Sequence, residues 1–553
     1  MDVPATSAPA AEKEGRADRP VAFLRSARVV SLCTLLSRIL GLVRDMFMAR
    51  VFGAGLVMDA FVNAFLIPNL LRRLLGEGAL SSAFISVLAG FKKKGDDRTT
   101  MAFMNAVVTF TVFLLVGVTF LGLLVILFFP TSFFFEGQDA VKMDLTLELS
   151  VILFPYVLFI CLLALVTGIL NSWGHFATPA IAPALLNIFW LGGILLAVLL
   201  VSGDGTPGDI TPERILRIKV VSGAIFVGGV FQLLMQIPAL QRHGIRLRPS
   251  FSFRGSGLEG VLAMAAPIVI GLAPTQVNIF VDRIIAEEFV PGHGAASSLF
   301  YGNRLMQFPL ALVGIAMGTA VFPLLSELAA RKESHALEKT LHRALRLTFF
   351  LAVPAAMGLL ILGRPIVGLF FQHGEFDVTA ASRTSSVVVA YAFGIPAFCG
   401  LQIVTRGLYA VGQPSIASRA AVVAIGLNLV LNLALVAPLG ESGLALSTSI
   451  TSTLQLIWMW SRLSRVVKDD RATLHMTLRS LFLSVTASGA MGLACLLLLD
   501  LVGEGEGLLL KTLSLLFLVT AGVAVYGAVS LALPGDEARQ VLRSLKRRPP
   551  GPS

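Results

Sequence analysis

Residues 101–129, MAFMNAVVTFTVFLLVGVTFLGLLVILFF, run for 29 positions without one charged side chain. Crossing about 30 Å of hydrocarbon takes roughly 20 apolar residues in a helix, so this stretch reads as a membrane span. Similar stretches follow one another along the chain. We read fourteen spans, at about 24–52, 57–91, 101–129, 144–171, 178–202, 214–240, 258–289, 296–329, 337–362, 379–411, 415–438, 441–463, 475–500 and 507–533. The composition agrees: 56% hydrophobic, 14% charged and a mean hydropathy of +0.82, where a soluble domain carries about a quarter charged residues. An all-α integral membrane fold follows, because a helix satisfies its own backbone polar groups in lipid.

The charges between the spans alternate. Basic residues gather before the first span and in four of the six even-numbered loops: Lys92, Lys93, Lys94 and Arg98; Arg242, Arg246, Arg248 and Arg254; Arg331, Lys332, Lys339 and Arg343; Arg462, Arg465, Lys468 and Arg471. The intervening loops are short or acidic, with Glu136, Asp139, Glu287, Glu288, Glu375, Asp377, Glu441, Glu504 and Glu506. Arg214, Arg217 and Lys219 break the pattern. The bias puts both termini in the cytoplasm and requires an even number of spans. It also accounts for the net charge of +11 without nucleic acid as a partner. Residues 1–23 read as a disordered cytoplasmic tail with no cleavable signal, and 534–553 as a basic cytoplasmic tail. Cys33, Cys161, Cys399 and Cys495 all lie in apolar runs and read as small buried hydrophobes. The seven histidines show no metal-binding spacing.

A weak repeat runs through the chain. Gly168–Gly174, followed by Pro179 and Asn187, is echoed by Gly407–Gly412, Pro414 and Asn428, with Pro155 and Pro396 upstream. An offset near 240 residues equals six spans, which predicts two parallel six-helix lobes and two helices beyond them. Coincidence of turn-forming Gly and Pro competes with this reading.

Charges inside spans are costly and face a bundle interior or a wet cavity. Arg38 and Asp45 share a helix face, and Arg73 and Glu77 are four apart, so mutual neutralisation is the simplest reading of those four. Arg50 can reach the interface, and Asp59 can do likewise or cap its helix. Arg44, whose nearest acid is adjacent and on another face, Arg72, Arg304 and Arg406 have no acid three or four residues away. Each needs a tertiary carboxylate or an anionic ligand, and guanidinium forks suit phosphate oxygens. Asp282, with Asn278 one turn earlier, Asn428, Asn432 and Thr448 form a second set of hard oxygen donors. An alkali cation such as sodium suits them; the competing reading pairs Asp282 with Arg283 and leaves the asparagines as links between helices. Pro68, Pro267, Pro274, Pro309 and Pro323 interrupt long apolar helices, where bends serve cavities and motion. No nucleophile–base pair, nucleotide loop or hydrolytic metal motif appears, so the chain does not read as an enzyme.

Ser37–Asp45 (SRILGLVRD), Phe52–Gly55, Asp59–Phe61, Pro68–Arg73 and Gly76–Ala79 together resemble the MurJ (MviN) lipid II flippase family, as do Asn303–Pro309, Phe371–Phe376 and Arg406–Ala410 further on. The resemblance covers residues from about 24 to 533. It implies the fold of the multidrug/oligosaccharidyl-lipid/polysaccharide exporters: an N-terminal lobe at 24–240, a C-terminal lobe at 258–463 arranged with it in a V, and two helices at 475–533 forming a lipid-tail groove. The implied function is outward transfer of lipid II, an undecaprenyl-diphosphate-linked peptidoglycan precursor, across the bacterial inner membrane by alternating access, driven by membrane potential or sodium. Family positions of functional weight fall on Arg38, Arg44, Asp59, Arg72 and Arg304, which overrules the reading of Arg38 as merely paired. The family also has sodium sites like the Asp282, Asn428, Asn432 and Thr448 set. Several relatives carry acids at positions 303 and 307 and lysines at 66 and 402, where this chain has Asn303, Gln307, Leu66 and Gln402. Membrane lipids and the cell-wall synthesis machinery are the implied partners, with no cofactor beyond sodium. Another polyprenyl-oligosaccharide flippase, or a multidrug/cation antiporter of the same fold, is the alternative.

Overall fold

The computed structural model describes residues 11–129, 137–201, 211–467, 470–502 and 507–546. They form helical rods: α1 Ala11–Phe52, α2 Leu56–Lys94, α3 Asp97–Leu127, α4 137–172, α5 Ala177–Leu200, α6 Pro212–Arg242, α7 Leu258–Phe289, α8 Ala295–Ala330, α9 Ser334–Phe370, α10 378–410, α11 Pro414–Leu439, α12 Glu441–Val467, α13 Arg471–Val502, α14 Leu508–Ala532 and a short α15, Glu537–Lys546. The first fourteen overlap the expected spans in sequence, but not all of them are long and apolar enough to count as crossings. Among the described residues nine are long and apolar enough to cross a membrane, or eleven if α4 and α10, bent by 40° and 44°, each count as one span. The α10 bend follows Gly394, just before Pro396, and that of α4 comes at Phe154-Pro155, the two prolines of the expected repeat. Proline lacks the N–H that a continuous helix needs there.

Two compact units emerge. The first comprises residues up to Met48, Ala64–Gly205 and Ile210–Leu272; the second comprises Ala49–Asn63 and Ala273 onward. The division falls inside α1, α2 and α7. Within the first unit, Phe84, Phe103 and Phe91 stack in a row beside Leu88, Met104 and Ile169. The chain after α6 runs back along α3, where Asn105 Oδ1 accepts from the Arg248 N–H at 3.0 Å and Thr109 Oγ1 from the Ser250 N–H at 3.0 Å. The basic residues that break the charge alternation are used locally. Arg217 donates to the Val201 carbonyl at 2.8 and 3.1 Å, closing the end of α5, and Lys219 pairs with Glu148 at 2.8 Å. A helix C-terminus leaves carbonyls open, and a guanidinium satisfies them.

In the second unit, apolar clusters join α7, α8, α10 and α12, and a further one joins α9 to α13 and α14. Tyr526 donates to the Phe350 carbonyl at 2.6 Å. Helices α11 and α12 meet at a tight turn in which a Cβ on Gly443 would lie 2.2 Å from the Leu435 carbonyl oxygen. Gly443→Ala is therefore expected to destabilise the unit by about 1–3 kcal/mol, the usual cost of overpacking a closed contact; thermal unfolding in detergent measures it.

Both tails are more helical than the sequence suggests. α1 begins at Ala11, inside the stretch read as disordered, because Ala, Glu, Lys and Arg are good helix formers. α15 docks through Glu537, 3.5 Å from Arg346. Residues 1–10 and 547–553, with the loop charges Glu136, Lys468, Glu504 and Glu506, lie outside the described residues, as does the Glu77 side chain. Cys161, Cys399 and Cys495 are buried, and each faces a glycine of a neighbouring helix.

Candidate substrate and cation sites

Arg44 sits in the first unit, 7% exposed. Its Nε and Nη2 donate to Asp45 Oδ1 at 3.0 and 2.7 Å, and its Nη1 to Asn187 Oδ1 at 2.9 Å. The guanidinium lies 4.1 Å from the centre of the Trp190 ring, and Asn187 in turn donates to the Ser37 carbonyl at 2.9 Å. This corrects the expectation that Arg44 lacks a local carboxylate. The long side chain curls back far enough to meet the adjacent residue, so Asp45 is engaged by Arg44, while Arg38 is exposed. Arg72 is half-buried at the point where α2 widens, and its Nε and Nη2 both donate to Asn69 Oδ1, at 3.2 and 3.0 Å.

The second unit carries the other candidates. Arg304 lies over Phe300 at 4.9 Å, beside the pair in which Gln307 donates to Asn303. Arg406 donates to the Gln402 carbonyl and side chain and to Thr319 Oγ1, each at 3.2 Å. It packs so closely over Gly318 that a Cβ there would lie 2.2 Å from Nη1. Asp59, 1% exposed, has both oxygens engaged by the first turn of α8. Oδ2 accepts from the Gly294 N–H at 2.5 Å, and Oδ1 accepts from the Ser297 N–H and Oγ at 2.8 and 2.6 Å. A carboxylate is well placed at a helix N-terminus, where free N–H groups and the helix dipole favour negative charge. Asp59 thus caps a helix 235 residues away in sequence rather than its own.

The same region gathers the separate motif pieces. Gly53, at φ +66°, lets the α1–α2 turn approach Glu375, where a Cβ would lie 2.5 Å from the carbonyl oxygen; Gly374 approaches the Arg50 carbonyl in the same way. The Glu375 N–H donates to that Arg50 oxygen at 3.0 Å. Phe371 and Phe376 close around Tyr301. Phe52–Gly55, Asp59 and Phe371–Phe376, far apart in sequence, are thus one structural feature.

The oxygen donors meet as well. Asp282 accepts from Asn432 at 2.5 Å and from Asn278 at 3.2 Å. Asn432 donates to Asn428 Oδ1 at 3.0 Å, and Asn428 reaches Ser447 and Thr448 at 3.2 and 3.5 Å. Ser447, which donates to Asn432, was not singled out from sequence; its only signal is its place beside Thr448. Turning the two amides over exchanges donor for acceptor, so a carboxylate, two amides and two hydroxyls from α7, α11 and α12 can all present oxygen. That set fits an alkali or other hard cation. Among the described residues no group of three or more His, Cys, Asp or Glu gathers as metal ligands.

The family model described as "Lipid II flippase MurJ" matches residues 48–515. The chain belongs to the MurJ lipid II flippase family. A probable lipid II flippase MurJ of Vibrio cholerae is 33% identical over 524 residues, covering 92% of this chain and 96% of the relative. The lipid II flippase MurJ of Burkholderia cenocepacia is 32% identical, with 79% and 83% covered. Among solved structures, a lipid II flippase MurJ in an inward closed conformation aligns with a TM-score of 0.73 at 24% identity, over 94% of this chain and 99% of that one. An inward-facing multidrug resistance transporter of the MATE family and MOP superfamily aligns at 0.61 and 14% identity, covering 80% and 99%. These structural likenesses establish the fold. MurJ membership makes this chain a multi-pass membrane transporter and not an enzyme, as the motifs in α1, α2, α8 and α10 imply.

Proposed function

We propose that the chain moves lipid II from the cytoplasmic to the outer leaflet of the bacterial inner membrane by alternating access, with both termini in the cytoplasm. The match to the MurJ family over residues 48–515 carries this reading. Arg38, Arg44, Arg72, Arg304 and Arg406 act on the diphosphate, which a guanidinium fork recognises through paired charge-assisted hydrogen bonds. Asp59 contributes by holding the start of α8. The polyprenyl tail stays in lipid, since burying the headgroup in hydrocarbon would be prohibitive. An anionic headgroup moving outward gains about 2.3 kcal/mol per charge for each 100 mV of inside-negative potential, so membrane potential assists export.

Asp282, Asn428, Asn432, Thr448 and Ser447 would hold sodium, which would supply a fixed positive charge among three helices. The test is lipid II transfer by the purified protein in vesicles, with voltage and sodium varied independently. Export that rises with inside-negative voltage is expected, and export of equal rate at all voltages contradicts potential as a driver. Asp282→Ala is expected to abolish any stimulation by sodium while leaving the fold intact; a variant stimulated like the wild type removes sodium from the account.

A further inference from the structure

Two long helices widen in mid-length, one in each unit. In α2 the hydrogen-bond pattern becomes π-helical over Arg72–Ala79, and in α8 over Leu310–Ile315. A proline precedes each, Pro68 in α2 and Pro309 in α8. A π-turn takes one residue more into each hydrogen-bonded ring than an α-turn does; it is rare, and it is frequent at functional sites.

Each wide turn rests on the same kind of contact. A Cβ on Gly76 would lie 3.4 Å from Cys161 Cα and 3.5 Å from its Sγ; on Gly314 it would lie 2.9 Å from Cys399 Cα and 3.1 Å from its Sγ. Both pairs are displaced by the same 238 positions, 76 to 314 and 161 to 399. That matches the offset expected from the glycines and prolines of the repeat. One such contact could be packing chance, but two with one displacement, each at a π-turn, mark a device present in both halves. Cys161 Sγ also reaches the Leu71 carbonyl, at 3.9 Å, immediately before the α2 π-turn. A thiol is small and only a weak hydrogen-bonding group, so this seat has no strong directional bond to break when the backbone shifts.

Arg72 is the first residue of one π-turn, and Arg304 lies six positions before the other. Drawing a π-turn into α geometry rotates one side of the helix against the other by about 100°, one residue's share of a 3.6-residue turn. We propose that Cys161 and Cys399 are positioning residues at a matched pair of hinges, on which α2 and α8 change direction and re-aim Arg72 and Arg304 during transport. This rests on the alternating-access reading and adds its moving parts.

The test uses the full chain in vesicles with Cys33→Ala and Cys495→Ala, so that two thiols remain. Labelling by a membrane-permeant maleimide is followed with lipid II and voltage present, and without them. Both thiols are buried in this state, so labelling during turnover is expected to rise at least about fivefold as the seats open. Undiminished export with both thiols equally protected in the two conditions overturns the hinges and leaves the flippase reading standing; absence of export from the parent protein overturns that reading and the hinges with it. A second variant, deletion of Leu312, removes the extra residue from the α8 π-turn. It is expected to lower export at least about tenfold while the protein still binds lipid II, and normal export by the deletion variant overturns the proposal. Should that variant not fold, the labelling result decides.

Discussion

Arg44→Ala is expected to destabilise the protein by about 3–5 kcal/mol, because it takes the guanidinium away from a carboxylate that stays buried. Asp45 is only 3% exposed, and Asn187 and Trp190 also lose their charged partner. A loss of that size lowers expression and thermal stability together, and so hides any direct effect on transport. The double variant Arg44→Ala/Asp45→Asn separates the two, since it removes the buried charge on both sides. It is expected to recover most of the stability and still fail to export lipid II. A double variant that exports normally reduces Arg44 to a structural strut between α1 and α5.

Arg72→Ala and Arg304→Ala are each expected to lower export about tenfold to a hundredfold with little change in unfolding temperature. A hydrogen bond to a charged group contributes about 1.5–3 kcal/mol, and each 1.4 kcal/mol is about tenfold. Both side chains are only half-buried, so truncation disturbs packing less than at the buried Arg44. Arg304→Lys is expected to fall between wild type and alanine, because it keeps the charge and loses the planar fork. Equal export by the lysine variant and wild type would make charge alone, rather than bidentate geometry, the determinant at that position.

The helical rods were legible in the sequence because hydrocarbon imposes one length and one kind of backbone pairing on every span. The oxygen cluster was legible too, since Asn428 and Asn432 are one turn apart and polar groups in lipid seek one another. What local spacing could not reveal were the pairings that ignore it. Same-face spacing of seven positions places Asp45 with Arg38 and misses the curl of Arg44 onto its neighbour. It likewise gives no hint that Asp59 closes the N-terminus of α8, a contact made by folding over more than two hundred residues. The π-turns were invisible for a different reason. Their prolines could be read, but one extra residue in a ring leaves no mark on hydrophobic periodicity over so short a stretch. Ser447 was passed over because serine is common in membrane helices and only its neighbours give it a role.

The transfer rate of lipid II by a folded Arg72→Ala/Arg304→Ala double variant, set against wild type in the same vesicles at fixed voltage, tests most directly whether these arginines carry the diphosphate. The expected result is loss of transfer with unfolding temperature and oligomeric behaviour unchanged. Transfer at the wild-type rate would contradict it, and would mean that the diphosphate crosses without these two arginines.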